Sequence, residues 1–127
     1  MLKSGILNPQ LNSLLSRIRH TNTLVIADRG FPFWPQLEIV DISLVDDIPT
    51  VLDVLNAIVP NFAIGSSWMA EEFRSHNSPT LVAKFSALLP SLAFEPHLAF
   101  KHRVPSAIGL IRTAGKATYS NVILESA

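Results

Sequence analysis

Residues 24–27, Leu-Val-Ile-Ala, limit what this chain can fold into more than any other stretch. Four consecutive apolar side chains, two of them β-branched, leave no face for water, so they predict a strand over 23–27 buried on both faces of a parallel sheet. Asp28 closes the run, and Pro32 and Pro35 keep the following segment, 29–35, from extending it. A carboxylate just beyond the end of such a strand lies where ligands of open α/β sheets collect. His20 stands at the other end of the same strand.

A sheet buried on both faces needs helices to cover it. Asn8-Pro9 and Ser78-Pro79 each put a capping side chain before a proline whose fixed φ suits the first helical position. Leu11, Leu14, Leu15 and Ile18 then recur at i, i+3, i+4 and i+7, predicting a helix from 9 to about 19. Leu81, Val82, Phe85, Leu88 and Leu89 form a comparable stripe that Pro90 ends. Asp46-Asp47-Ile48-Pro49 reads as a third helix start, with Val51, Leu52, Leu55, Ile58 and Val59 in helical period and a stop at Pro60-Asn61. Further strands are expected at 37–42, 62–69, 92–94, 107–112 and 119–124, one or two helical turns at 97–104, and a turn at 113–116. This alternation predicts one α/β layered domain with a largely parallel sheet, and 127 residues suit a single core.

Composition removes several function classes. Ten basic and ten acidic residues give a formal net charge of +0, so there is no electrostatic footprint for nucleic acid or an anionic membrane. With no cysteine there is no disulfide, thiolate metal site or cysteine nucleophile. No run of about 18 apolar residues and no leader-like N-terminus occurs, so a soluble, cytoplasmic protein is expected. Hydrophobic residues at 48% against 16% charged residues predict apolar surface buried against other subunits.

The candidate site residues each carry two readings. His20 caps a helix end while Asp28 holds a loop, or the two serve chemistry, since an imidazole exchanges protons near neutral pH and a carboxylate orients it. His97 and Lys101 lie at i and i+4, on one helix face, as a solvated pair or as site residues. Tyr119 and Asn121 flank Ser120 with period two, which points both to one side of a terminal strand, where a phenol and an amide suit carbohydrate hydroxyls or a subunit contact. Phe31, Phe33 and Trp34 stack on a sugar ring or bury at an interface, the latter being the expected role. No paired-histidine spacing supports a metal, and Glu71-Glu72 reads as an exposed loop or helix end. The five glycines form no phosphate-binding loop, and no serine sits in a nucleophile elbow.

Together these blocks resemble the D-ribose pyranase and L-fucose mutarotase family of sugar mutarotases. The likeness rests on Gly5-Ile6-Leu7-Asn8, His20-Thr21 with Val25-Ile26-Ala27-Asp28, Asp41-Ile42-Ser43-Leu44, Ile111-Arg112-Thr113, Tyr119-Ser120-Asn121 and Ile123-Leu124, in order over nearly the whole chain. It implies a three-layer α/β/α domain assembled into a ring-shaped oligomer, a pentamer or a homodecamer of stacked pentamers, with sites between subunits. It also implies His20 as the catalytic histidine, with Asp28, His97, Lys101, Tyr119, Ser120 and Asn121 binding a monosaccharide, and neither metal nor organic cofactor. The implied reaction opens and recloses a hemiacetal, interconverting pyranose and furanose forms or anomers, with D-ribose favoured as the substrate. L-fucose mutarotation, non-catalytic sugar binding and a purely structural ring protein are the rival readings. The chain departs from the family's Thr-Gly-Glu at Thr113-Ala114-Gly115, which lacks the acid.

Overall fold

A computed structural model describes residues 1–89 and 91–127; Pro90, the expected end of its helix, lies outside the described residues. The elements run α1 (Pro9–Arg17), β1 (Thr23–Ala27), β2 (Glu38–Asp41), α2 (Val51–Ile58), β3 (Ile64–Ala70), α3 (Glu71–His76), α4 (Pro79–Leu88), β4 (Leu92–Glu95), α5 (His97–Arg103), β5 (Gly109–Arg112) and β6 (Val122–Ser126). The sheet order is β2-β5-β1-β6-β3-β4. β2, β5 and β1 pair in parallel, as do β3 and β4, while β6 is antiparallel to both of its neighbours. Among the described residues five strands therefore point one way and only β6 runs against them, so the start of β6 lies among the ends of the others.

Residues alternate across the sheet and so build two cores. Leu24, Ile26, Ile111, Val122 and Leu124 pack on one face against Leu14 of α1, Leu55 of α2, Phe73 of α3 and Phe85 of α4. Val25, Ala27, Leu110 and Ile123 pack on the other against Phe31, Phe100 of α5 and Val104. This is the expected three-layer α/β/α arrangement, with β1 buried on both faces. Among the described residues no helix is long and apolar enough to cross a membrane.

Local chemistry sets the element ends. Asn8 accepts a bond from the Leu11 amide and Ser78 from the Leu81 amide, each with proline following. At α2 the cap is Thr50, two residues after the Asp47-Ile48 pair, because Thr50 and Asp53 exchange side-chain and backbone bonds in a capping box. α1 ends at Arg17, short of the expected 19, since Ile18 is extended and buried and the chain must reverse through Thr21 and Asn22 to enter β1. The last strand opens at Val122, not 119, because Tyr119 has a φ of 58°, which no strand accommodates.

Gly109 of β5 lets α1 approach the sheet: a Cβ there would stand 2.7 Å from Leu14 Cδ1 and 3.1 Å from the Glu38 carbonyl oxygen. Gly109→Val is accordingly expected to lower stability by about 1–3 kcal/mol through overpacking, measured as a shift of the urea midpoint at unchanged slope.

Candidate functional site

The site forms where the parallel strands end. Asp28 leaves β1, Glu72 follows β3 by two residues, His97 follows β4 by two, and residues 118–121 lead into β6. Asp28, Gly30, Phe31, Pro32, His97, Thr118, Tyr119 and Asn121 line one cavity of about 260 Å³. The crevice beyond the carboxyl ends of an α/β sheet is the expected place for a ligand.

Asp28 is buried, and its own loop holds it. The Asp28 amide donates to Asn121 Oδ1 at 2.7 Å, and the Gly30 amide donates to Asp28 Oδ1 at 2.9 Å. Arg112, at the end of β5, donates from Nη1 to the Asp28 carbonyl at 2.8 Å and from Nη2 to the Pro32 carbonyl at 3.1 Å, fixing the loop from behind. Burial pushes the Asp28 carboxyl above its ordinary pKa, against hydrogen bonds from Gly30 and Phe31, the charge of Arg112 and a bond with Asn121. The result is a carboxylate poorly solvated by water and ready to accept a hydrogen bond from another donor.

His97 is the first residue of α5, and its amide donates to both Glu72 carboxylate oxygens, at 2.8 and 3.2 Å. A carboxylate at a helix N-terminus also meets the positive end of the helix dipole. The imidazole meets Tyr119 edge-on with centroids 5.0 Å apart and Phe31 edge-on at 6.3 Å. Burial holds its pKa below the ordinary value, with Lys101 reinforcing the shift and Glu72 and Asp28 opposing it. His97 is thus neutral at pH 7 and can donate from one ring nitrogen and accept at the other. Its Nδ1 is buried without a hydrogen-bond partner among the described residues, a condition that a ligand hydroxyl would relieve.

The other sequence candidates fall in different places. His20 is exposed at the start of β1, roughly 17 Å of strand from Asp28 by the extended rise, so the two form no local pair within one chain. Lys101 lies one turn along α5 from His97, half-buried. Tyr119 and Asn121 do reach one cavity, but from a turn before β6 and not as alternate residues of a strand. Ser120 between them is buried, donates from Oγ to the Ala117 carbonyl at 2.8 Å, and borders a different cavity between α2 and α4. Phe31, expected at an interface, is packed inside its own chain, whereas Phe33 is exposed.

The Thr113-Ala114-Gly115 turn is closed without an acid. Thr113 Oγ1 donates to the Ala27 carbonyl at 2.8 Å and accepts from the Gly115 amide at 3.2 Å, while the Arg29 amide donates to the Gly115 carbonyl at 3.1 Å. Gly115 borders the cavity between α2 and α4 and does not line the Asp28 cavity.

A model of the RbsD / FucU transport protein family matches residues 1–127. The chain belongs to this family. It is 41% identical to a D-ribose pyranase of Geobacillus kaustophilus over 99% of this chain and 93% of that protein. Its fold matches that of the Bacillus subtilis RbsD complexed with D-ribose at a TM-score of 0.93 and 29% identity, covering 100% of this chain and 98% of the other. The fucose mutarotase of Streptococcus pneumoniae in complex with L-fucose matches at 0.79 and 16% identity, over 94% and 92%, a likeness of fold. The RbsD / FucU resemblance read from separated sequence blocks therefore holds along the whole chain.

Sequence reading gave Arg112 and Thr118 no role at the site, and Glu72, read as part of an exposed loop or helix end, is half-buried in the first turn of α3. Glu72 and Arg112 act across 25 and 84 positions, and no local pattern reports such a contact. A lowered His97 pKa means that acid protonates the unfolded chain first. His97's contribution to stability is then full above about pH 6.5 and is lost as pH falls through its folded pKa. Asp28 has the opposite sign, its contribution being lost as pH rises through its raised pKa, so Asp28→Asn is expected to leave the melting temperature at pH 7 unchanged or higher. Proton NMR titration of His97 and calorimetry of Asp28→Asn check both signs.

Proposed function

We propose that this chain is a D-ribose pyranase, a mutarotase and hence an isomerase, which interconverts the pyranose and furanose forms of D-ribose by general acid/base ring opening. One observation carries the reading: in a chain 41% identical to a named D-ribose pyranase, one cavity gathers a buried carboxylate, a neutral imidazole, a phenol and an amide. These are the donors and acceptors that a polyhydroxylated ring requires.

Ring opening breaks the bond between C1 and the ring oxygen. The anomeric hydroxyl loses its proton as the carbonyl forms, and the ring oxygen gains one. Attack of the other hydroxyl on C1 then closes the second ring, with the two proton transfers reversed, so no proton is consumed overall. An imidazole suits both transfers because neither of its forms is strongly disfavoured near pH 7. In this reading His20 is the acid, Asp28 accepts from a sugar hydroxyl, and His97, Tyr119, Asn121 and Lys101 bind the remaining oxygens. Ser120 holds the turn that presents its two neighbours.

His20 and Asp28 stand at opposite ends of β1, so the reading takes His20 from another copy of the chain in a ring-shaped homo-oligomer, a pentamer or decamer with sites between subunits. An apolar arm supports such a contact: Leu44, Val45 and Ile48 are 76%, 59% and 55% exposed. The arm is tied to the Asp28 loop by Arg29 and Asp46, so a copy seated on it would lie beside the cavity. A cytoplasmic setting goes with this reading.

Saturation-transfer NMR of D-ribose tests the activity. Exchange between ribopyranose and ribofuranose is expected to quicken with the protein and to fall by about 10²–10⁴-fold in His20→Ala. Equal rates with and without the protein would refute the activity, and faster exchange of L-fucose anomers than of ribose forms would refute the substrate.

A further inference from the structure

α3 carries three side chains or neighbours that reach the sugar cavity from outside it. Glu72 holds the His97 amide, as described above, and Asn77, the residue after the helix, donates from Nδ2 to the Phe73 carbonyl and to the Thr118 carbonyl, each at 2.9 Å. Between them His76 lays its ring against the ring of Tyr119, with centroids 5.0 Å apart and planes inclined by 53°. Tyr119 therefore meets two imidazoles, that of His97, which lines the cavity, and that of His76, which does not, both at 5.0 Å.

The His76 ring is itself tethered. Its Nδ1 lies 2.9 Å from the Glu72 carbonyl oxygen and 3.0 Å from Ser75 Oγ. A carbonyl oxygen only accepts, so Nδ1 carries the hydrogen and the ring's orientation follows from that bond. Tyr119 needs such support, because at a φ of 58° its backbone occupies a conformation that side-chain-bearing residues seldom adopt. A half-exposed phenol on a turn of this kind has several rotamers open to it unless something packs against its ring.

We propose that His76 is a positioning residue of the sugar site. It touches no sugar; it holds the Tyr119 ring against His97, so that the phenol and imidazole meet the ligand in one fixed arrangement. This rests on the sugar-site reading above. Aromatic contacts of this kind predict that His76→Ala raises KM for ribose exchange about twofold to tenfold. The same variant should leave kcat within about twofold, because ordering Tyr119 acts on ground state and transition state alike. His76→Phe keeps a ring at the position and should return KM to within about twofold of wild type.

Tyr119 is the only tyrosine in the chain, which gives a readout independent of turnover. Full-length protein carrying ring-¹³C tyrosine should show its single set of ring signals displaced and narrowed in His76→Ala, as the ring loses a neighbour and gains motion. Those signals moving, KM rising alone and His76→Phe restoring it would support the proposal. It would be overturned by Tyr119 signals and KM both unchanged in His76→Ala, by a fall in kcat at constant KM, or by His76→Phe behaving no better than alanine. If wild-type protein fails to speed ribose exchange, the sugar-site reading falls, and the tyrosine signals alone decide whether His76 holds the ring.

Discussion

A 2.7 Å hydrogen bond from the Asp28 amide to Asn121 Oδ1 joins two segments 93 positions apart, and the geometry of the site follows from it. It is possible only because β6 runs antiparallel between β1 and β3, so that the chain enters β6 beside the exits of its neighbours. A sixth parallel strand would have put residues 118–121 at the opposite edge of the sheet. Antiparallel insertion thus delivers Tyr119 and Asn121 to the edge where Asp28, Glu72 and His97 already end their strands. Parallel strands provide the crevice and the one reversed strand supplies its opposite wall.

The site's electrostatics follow from this placement. Asp28 sits where backbone amides and Arg112 offset much of the cost of burial, yet not all of it, since the carboxyl is still pushed above its ordinary pKa. His97 is held neutral by burial while the Glu72 carboxylate is directed at its backbone amide. A buried carboxylate and a neutral imidazole in one small cavity form a neighbouring acceptor and donor–acceptor, a combination with more use for hydroxyl-rich ligands than for packing. Thr113, Arg112 and Glu72 do not line the cavity, yet they bond to the backbone of the segments that do and keep them from relaxing.

Much of this was legible in the residues. The apolar run at 24–27 gave β1 with its observed limits, and the two caps followed by proline gave the starts of α1 and α4, because each signal acts within a few residues. The start of β6 was misread: Tyr119, Ser120 and Asn121 have a strand-like spacing, and the left-handed backbone at Tyr119 leaves no mark in that pattern. His20 and Asp28 looked like a pair for the converse reason, since nearness along an extended strand is distance in space. Asp28 with Asn121, and Glu72 with His97, could not be paired from local pattern at all. What brought Tyr119 and Asn121 beside Asp28 at the sequence level was resemblance between separated blocks, and the sheet order explains physically why those blocks belong together.

The proposed sugar site is built on one chain's strand ends and completed by the His20 of another copy. Co-refolding His20→Ala with Asp28→Asn tests it most directly, because each variant alone lacks one half of every site. If the halves come from different copies, random co-assembly at equal ratio should restore ribose exchange to about one quarter of the wild-type rate, from the share of sites that receive both intact residues. Exchange no faster than that of the two variants measured separately would contradict the account.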